Sequence, residues 1–284
     1  MTESSLPDSA RDAAREAASQ AAAAAEELSN TRTLDVLARF GFAVTGLLHI
    51  LIGGIALAIA FGGRGEADPA GAVEVLADGA LGPVLMWAGF VGCGGLALWQ
   101  LSEATLRVRH RRRRVRAEKA VSSGGLFIGY GSLALTFAGF ALGHRSDSGQ
   151  SARDVTAALL AAPFGLPLLI GIGGAVIGIG AYFIVKALRR GFKEELHFGD
   201  SKRGKALSAL GVFGHIAKGV AVGLVGLLII IASVKHDPAE STGLDGSLKA
   251  LREHPYGVYV LTAVAAGLIC YGIFAIIRSR YGRM

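Results

Sequence analysis

Cysteine is nearly absent from this sequence, and charge is sparse in its long apolar stretches. The two cysteines, Cys93 and Cys270, fall in different apolar stretches. A disulfide framework or a zinc pattern needs several cysteines at short, repeated spacings, so neither is expected. Each cysteine suits a small buried hydrophobe instead. Short segments with alternating apolar and polar residues are missing, which excludes a transmembrane β-barrel. The first residues lack the basic region, short apolar core and cleavage site of a secretory signal, and their acidic residues do not fit an organelle transit peptide. His144, His236 and His254 have no close ligand spacing, so no metal site is expected. The glycine-rich stretch Gly171-Ile172-Gly173-Gly174 lacks the strand before and helix after that a phosphate loop requires. Nor does any nucleophile sit in sequence beside a base. Neither an enzyme nor a cofactor is expected.

What is present is apolar length. Of 284 residues, 52% are apolar, and the mean hydropathy is +0.48. Six segments reach about 20 residues, enough to cross ~30 Å of hydrocarbon. They are Leu37–Phe61, Gly82–Leu101, Val121–Leu142, Pro163–Leu188, Ala206–Val234 and Gly257–Ile277. Backbone polar groups in lipid must pair within their own segment, so these are predicted helices. Most of the 41 glycines lie inside these runs. Small residues in membrane helices let backbones approach closely.

The net charge of +7 is unevenly placed. Residues 102–120 hold eight Lys and Arg, residues 189–205 hold six, and the tail after Ile277 holds three. The alternate connections carry one (62–80), two (144–162) and three (235–256). Basic residues accumulate on the cytoplasmic side, so both termini are expected there. The run Arg107, Arg109, Arg111, Arg112, Arg113, Arg114 and Arg116 then sets topology and contacts anionic headgroups. Such contacts contribute about 1 kcal/mol per basic residue near the surface. A nucleic-acid partner is not expected; the bilayer is the partner, with a membrane protein as a further one.

The chain divides into a polar, alanine-rich tail (1–33), a first repeat (34–106), a basic loop (107–116), a second repeat (117–190), a charged loop (191–205) and a third repeat (206–284). Glycines seven residues apart open each repeat: Gly46 and Gly53, Gly124 and Gly131, Gly219 and Gly226. These are expected to be helix-packing positions. Between the two spans of each repeat lies a short helical segment, the first preceded by Asp68-Pro69, a helix-start signal with proline at the first helical position. With Gly82, Gly165 and Gly257 aligned, Trp99, Tyr182 and Phe274 register near the basic ends of their spans, where aromatic residues favour the interface. The expected fold is an all-α integral membrane protein. Its six transmembrane helices form three tandem helical hairpins, pseudo-threefold about the membrane normal, because repeats of two spans all enter in the same direction.

The run Ala38-Arg39-Phe40-Gly41-Phe42-Ala43-Val44-Thr45-Gly46, its echo at Gly214–Gly219, and the Pro-x-Gly entries at Pro163–Gly165 and Pro255–Gly257 resemble a bacterial membrane family, domain of unknown function 1206. That family is built from three tandem two-helix repeats. The resemblance covers residues 34–284 and implies this fold and a bacterial membrane location. It supplies no activity. The sequence departs from the pattern at Lys119, where the other copies have Gly41 and Gly214. It also has Thr45, Ser123 or Lys218 where an arginine is expected before the second glycine. A charged site shared by three copies is therefore not expected.

One ionisable group inside a span stands out. An ionisable residue there is functional by default, and His49, with Thr45 beside it, is the candidate polar site. Its repeat equivalents are Phe127 and Val222, so the site is single-copy. The plainer expectation is an imidazole hydrogen-bonded to helix backbone or to the neighbouring threonine. His215 and Lys218 are expected to anchor the fifth span, Lys218 by reaching to the interface. Two functions fit: a non-enzymatic scaffold or modulator of membrane partners or lipids, and a small transporter or channel using His49. A polar common axis favours the second, and a dry glycine-rich axis the first.

Overall fold

The computed structural model describes residues 32–105, 113–189 and 202–281. Residues 1–31 of the N-terminal tail (1–33), residues 191–201 of the charged loop, and Arg107, Arg109, Arg111 and Arg112 lie outside the described residues. Of Arg113, Arg114 and Arg116 only the backbone is described, as the first turns of a helix.

The elements run α1 (Arg32–Ala60), α2 (Pro69–Ala77), α3 (Gly82–Thr105), α4 (Arg113–Ala141), α5 (Ser148–Leu160), α6 (Gly165–Leu188), α7 (Lys202–Lys235), α8 (Gly243–Glu253) and α9 (Gly257–Tyr281). A single 3-10 turn, Pro238–Glu240, precedes α8. Six of these helices are long and apolar enough to cross a membrane, and α2, α5 and α8 are the short helices expected between paired spans. Among the described residues there is no strand. Large side chains such as Val84, Ile128, Leu135 and Leu188 stand exposed on the spans, as a lipid-facing surface requires.

Each second span begins at one of the aligned glycines, and packing explains why. A Cβ on Gly82, Gly165 or Gly257 would collide with the carbonyl oxygen of Ala77, Leu159 or Leu251, at the end of the preceding short helix. The chain turns too tightly there for any other residue. Just before two of these glycines, Phe164 and Tyr256 adopt left-handed backbone (φ 64° each) with their rings outward.

The spans follow one another around an incomplete ring: α6 packs on α7, α7 on α9, α9 on α1, α1 on α3, and α3 on α4. The missing seam is between α4 and α6, the two spans of the second repeat. The tightest contacts join different repeats, so the unit of sequence is not the unit of packing. In the α1–α9 seam, a Cβ on Gly46 would stand 2.6 Å from the Gly272 carbonyl oxygen, and one on Gly53 2.7 Å from that of Ala265. The α6–α7 seam repeats this pattern, with Gly219 against Gly180 (2.6 Å) and Gly226 against Gly173 (2.7 Å). Such close approach takes the place of a hydrophobic driving force in lipid.

At Gly124 and Gly131 the expected packing role fails. A Cβ at either meets nothing within 4 Å. The cause is in α3: eight residues after its opening glycine stands Phe90, where α6 has Gly173 and α9 has Ala265. A ring at that position offers no small surface for a glycine to meet. Helix α4 instead lays the buried Phe137 against Gly89. A further correction concerns the aligned aromatics. Tyr182 faces outward, but Phe274 is buried inside the bundle and Trp99 is half-buried, edge-on to Phe42. Phenylalanine has no polar end to hold at an interface.

Candidate intramembrane site

On the inner face of the ring, side chains from three repeats meet at mid-span. The amine of Lys218 on α7 donates a hydrogen bond to the Tyr271 hydroxyl of α9 (3.0 Å). It also lies 4.2 Å from the centre of the Tyr271 ring and 5.2 Å from that of Phe183 on α6. The His49 ring of α1 stands 4.7 Å from Tyr271, and His215 of α7 stands 5.1 Å from it on another side. Tyr130 of α4 is within electrostatic range of both Lys218 and Tyr271. Four of the six spans thus contribute a contacting side chain, and Tyr130 of α4 packs against Ala38, Phe42 and Leu96. His49, Tyr130, Lys218 and Tyr271 are each half-buried, whereas His215 is closed off.

Local sequence accounts for how these groups are held. His49 Nδ1 bonds the Thr45 carbonyl oxygen one turn earlier (2.7 Å), and Thr45 Oγ1 donates to that of Gly41 (2.6 Å). His215 Nδ1 does the same with the Gly211 carbonyl (2.7 Å). Each imidazole has one nitrogen fixed and its ring set against Tyr271. The plain expectation for His49, a bond to helix backbone, describes its Nδ1. It does not describe the company the ring keeps.

Lys218 overturns an expectation. It does not reach to the interface but turns inward to Tyr271. The signal was available: Lys218 lies twelve residues into the apolar span Ala206–Lys235, about 18 Å along a helix axis. Tyr271 and Tyr130 were missed because a single tyrosine in an apolar run carries no mark of its partners. Among the described residues no carboxylate lies within ion-pair distance of Lys218. An ammonium at this depth costs about 2.5–3.5 kcal/mol on insertion scales. The hydroxyl and the two ring faces offset part of that, a desolvated cation–π contact contributing up to about 2 kcal/mol.

At the opposite end of the bundle the short helices form a polar lid. Asp68 accepts from the Gly71 amide (2.8 Å) and Asp147 from that of Gln150 (2.9 Å), capping α2 and α5. Asp245 of α8 accepts from the Ala67 amide (2.8 Å), and Thr156 donates to Ser241 (2.9 Å). Arg145 pairs with both Glu74 and Asp78. Each of these last three links joins different repeats. Between the caps is an open cleft of about 290 Å³ lined by Glu66, Asp68, Asp147, Arg153, Asp245 and Lys249. Burial, then the facing Asp68, Asp147, Asp245 and Glu74 carboxylates, pushes Glu66 above the usual carboxylate range. Burial does the same to Asp68 against the opposing pull of the Gly71 amide. Carboxylates at helix N-termini satisfy free amides and the helix dipole, so Asp68, Asp147 and Asp245 have a structural role.

The fold and the mid-span cluster define a multi-pass helical membrane protein of three parallel two-span repeats about a common axis. The particular family follows from comparison with known proteins. The model of the family described as Domain of Unknown Function (DUF1206) matches three times, at residues 40–107, 122–190 and 213–282. The chain belongs to that family. It is also similar to "Uncharacterized protein YxxB" of Bacillus subtilis (strain 168), 30% identical over 255 residues that span 87% of this chain and 90% of the relative. No solved structure is significantly similar.

Proposed function

We propose that this protein is a small transport-type membrane protein that binds an anionic solute at the Lys218 cluster and carries no enzymatic activity. The observation behind this is the mid-span amine of Lys218, hydrogen-bonded to Tyr271 and flanked by His49 from another repeat. Charge kept inside a span at a cost belongs to substrate pathways and relays. Carriers built from repeats place their sites near the midplane where repeats meet. A polar axis is the feature that separates a carrier from a scaffold, and it shifts the balance to the carrier. The charge of the basic connections supports a topology with the 102–120 and 189–205 segments and both termini on the cytoplasmic face of a bacterial cytoplasmic membrane, facing anionic headgroups. The test is flux into liposomes for carboxylates from acetate to laurate. The expected result is uptake above empty liposomes that falls at least tenfold in Lys218→Met and less in His49→Ala. Uptake equal to empty liposomes for the whole series overturns the proposal.

The scaffold reading keeps one observation in its favour, the small-residue surfaces of α4 and α6 that face no other helix. Purification in mild detergent tests it, since a stoichiometric membrane-protein partner released by Gly174→Leu or Gly129→Leu would support it. A monodisperse protein without companions would count against it.

A further inference from the structure

The gap in the ring lies beside the cluster. Helices α4 and α6 end the arc α6–α7–α9–α1–α3–α4 and share no packing seam along their length. Only 11% of the most apolar window of Ser123–Ala141 and 17% of that of Gly165–Leu188 is buried, against 44% for Asp35–Ala60 and 50% for Gly82–Ala104. Of the two helices that flank the gap, α6 reaches the cluster with Phe183 beside the Lys218 amine, while Tyr130 of α4, packed against Ala38, Phe42 and Leu96, lies within electrostatic range of it. Small residues on both flanks, among them Gly125 and Gly129 on α4 and Gly174 and Gly178 on α6, leave open space. The bundle is thus least covered along these two helices, beside a cation, a hydroxyl and aromatic faces.

Resting on the reading of the Lys218 cluster as an anion site, we infer that its ligand is a single-chain amphiphile with a small anionic head, of the long-chain carboxylate class, which enters sideways from the bilayer between α4 and α6. The chemistry is matched at both ends. A carboxylate takes the Lys218 ammonium and a hydroxyl donor such as Tyr271 or Tyr130 as charge-assisted hydrogen bonds, the strong class. The chain remains against Gly, Leu and Ile side chains of α4 and α6 in an environment no different from lipid. A solute without a chain gains nothing from that passage and would have to cross the polar lid or the basic face. A lysine with no carboxylate within ion-pair distance among the described residues, half-buried at mid-span, is the group such a head would neutralise.

The experiment places a reporter at the flank. In detergent-solubilised full-length protein carrying Phe183→Trp, quenching of the new indole is titrated with mid-chain dibrominated stearic acid, with its methyl ester, and with acetate or inorganic phosphate as competitors. Protein with the native Phe183 corrects for Trp87 and Trp99. Saturable quenching by the acid, at least about tenfold weaker with the ester and with Lys218→Met, is expected. Gly174→Leu or Gly125→Leu between the two helices should reduce it while leaving elution and helix content unchanged. If acetate or phosphate competes at concentrations comparable to the acid, the site stands as an anion site and the amphiphile inference is overturned. If the methyl ester binds as tightly as the acid, the passage holds acyl chains without reading a head, which also overturns it. No saturable effect from any of these anions overturns the anion site as well.

Discussion

The second and third repeats come from one pattern, yet the structure uses them in opposite ways. In the third repeat α7 and α9 pack on one another, and each also locks into a neighbouring repeat through glycines. In the second repeat α4 and α6 stand apart, and α4 turns its glycines outward. The repeated glycines are alike, so the difference is made by the partner. Where the facing helix offers Gly180 and Gly173, or Gly272 and Ala265, two backbones meet. Where it offers Phe90 the glycines of the repeat stay unmatched. A packing motif in a membrane helix is thus half of an interface, and two copies of it do different work when only one is matched.

The strongest way to break this comparison is to add bulk on each side of it. In Gly46→Leu the new side chain meets the Gly272 carbonyl and the Ile276 side chain, 2.6 and 2.7 Å from its first carbon. Overpacking of that kind costs about 1–3 kcal/mol and often more when backbone is what must move. A large fall in the melting temperature in detergent, with loss of monodispersity, is expected. A Cβ at Gly124 meets nothing within 4 Å, so Gly124→Leu should leave the melting temperature within the range of an ordinary surface change, about 0.5 kcal/mol either way.

How much of this was legible beforehand follows the same logic. The six spans, the short helices between them and the threefold repeat are local properties, carried by apolar length and by glycines at fixed spacing. The cap at Asp68 was visible because its proline and its acceptor are neighbours in sequence. The closure of α9 onto α1 was not visible, since it depends on which faces match across most of the chain. The cluster was half visible: His49 announced itself as an ionisable group, but Tyr271 and Tyr130 acquire their meaning only when α9 and α4 are brought beside it. Lys218 shows its depth in sequence, twelve residues into Ala206–Lys235, but not the ring it turns to.

The next contrast separates the cost of Lys218 from its use. Its repeat equivalent Thr45 satisfies itself within α1 by bonding Gly41, whereas Lys218 holds its amine in the bundle interior. Replacing buried charge by an apolar side chain of similar volume is often neutral or stabilising, by about 1–4 kcal/mol. Lys218→Met is therefore expected to melt no lower than the parent while losing anion binding. A destabilised Lys218→Met would make the lysine a structural element of the α7–α9 seam.

A smaller effect distinguishes the two capping aspartates of the lid. Asp68 is buried and Asp147 exposed, though each accepts one amide bond. Removing a cap costs about 1 kcal/mol, so Asp68→Ala and Asp147→Ala both lower the melting temperature, the former more. Their pH responses differ. A carboxyl raised by burial, as Asp68 is, binds its proton more tightly folded than unfolded. Its contribution is then largest below the ordinary carboxylate pKa and is lost as pH rises through the folded value. Asp68→Asn keeps an acceptor for Gly71 but removes this slope, so the stability gained by the parent on acidification from neutral toward pH 5 should shrink in Asp68→Asn. An unchanged slope in thermal melts across that range would assign it to Glu66, which is raised by the same carboxylates.

The smallest expected effect bears most directly on the open helix. Glycine in a helix interior is destabilising by roughly 0.5–1 kcal/mol relative to alanine, because it has more backbone freedom to lose. At Gly131 an added methyl meets nothing, so Gly131→Ala should raise the melting temperature by a few degrees at most. At Gly53, the equivalent position, the same methyl falls 2.7 Å from both the Ala265 carbonyl and the Ile269 side chain, and Gly53→Ala should lower it. The opposite signs of one substitution at two copies of one motif are what an unmatched α4 demands. If Gly131→Ala is destabilising as well, then something covers that face in the membrane. The same pair of variants, melted with and without long-chain carboxylate, tells whether the cover is the amphiphile or a second chain, since only the first is removed by washing the acid away.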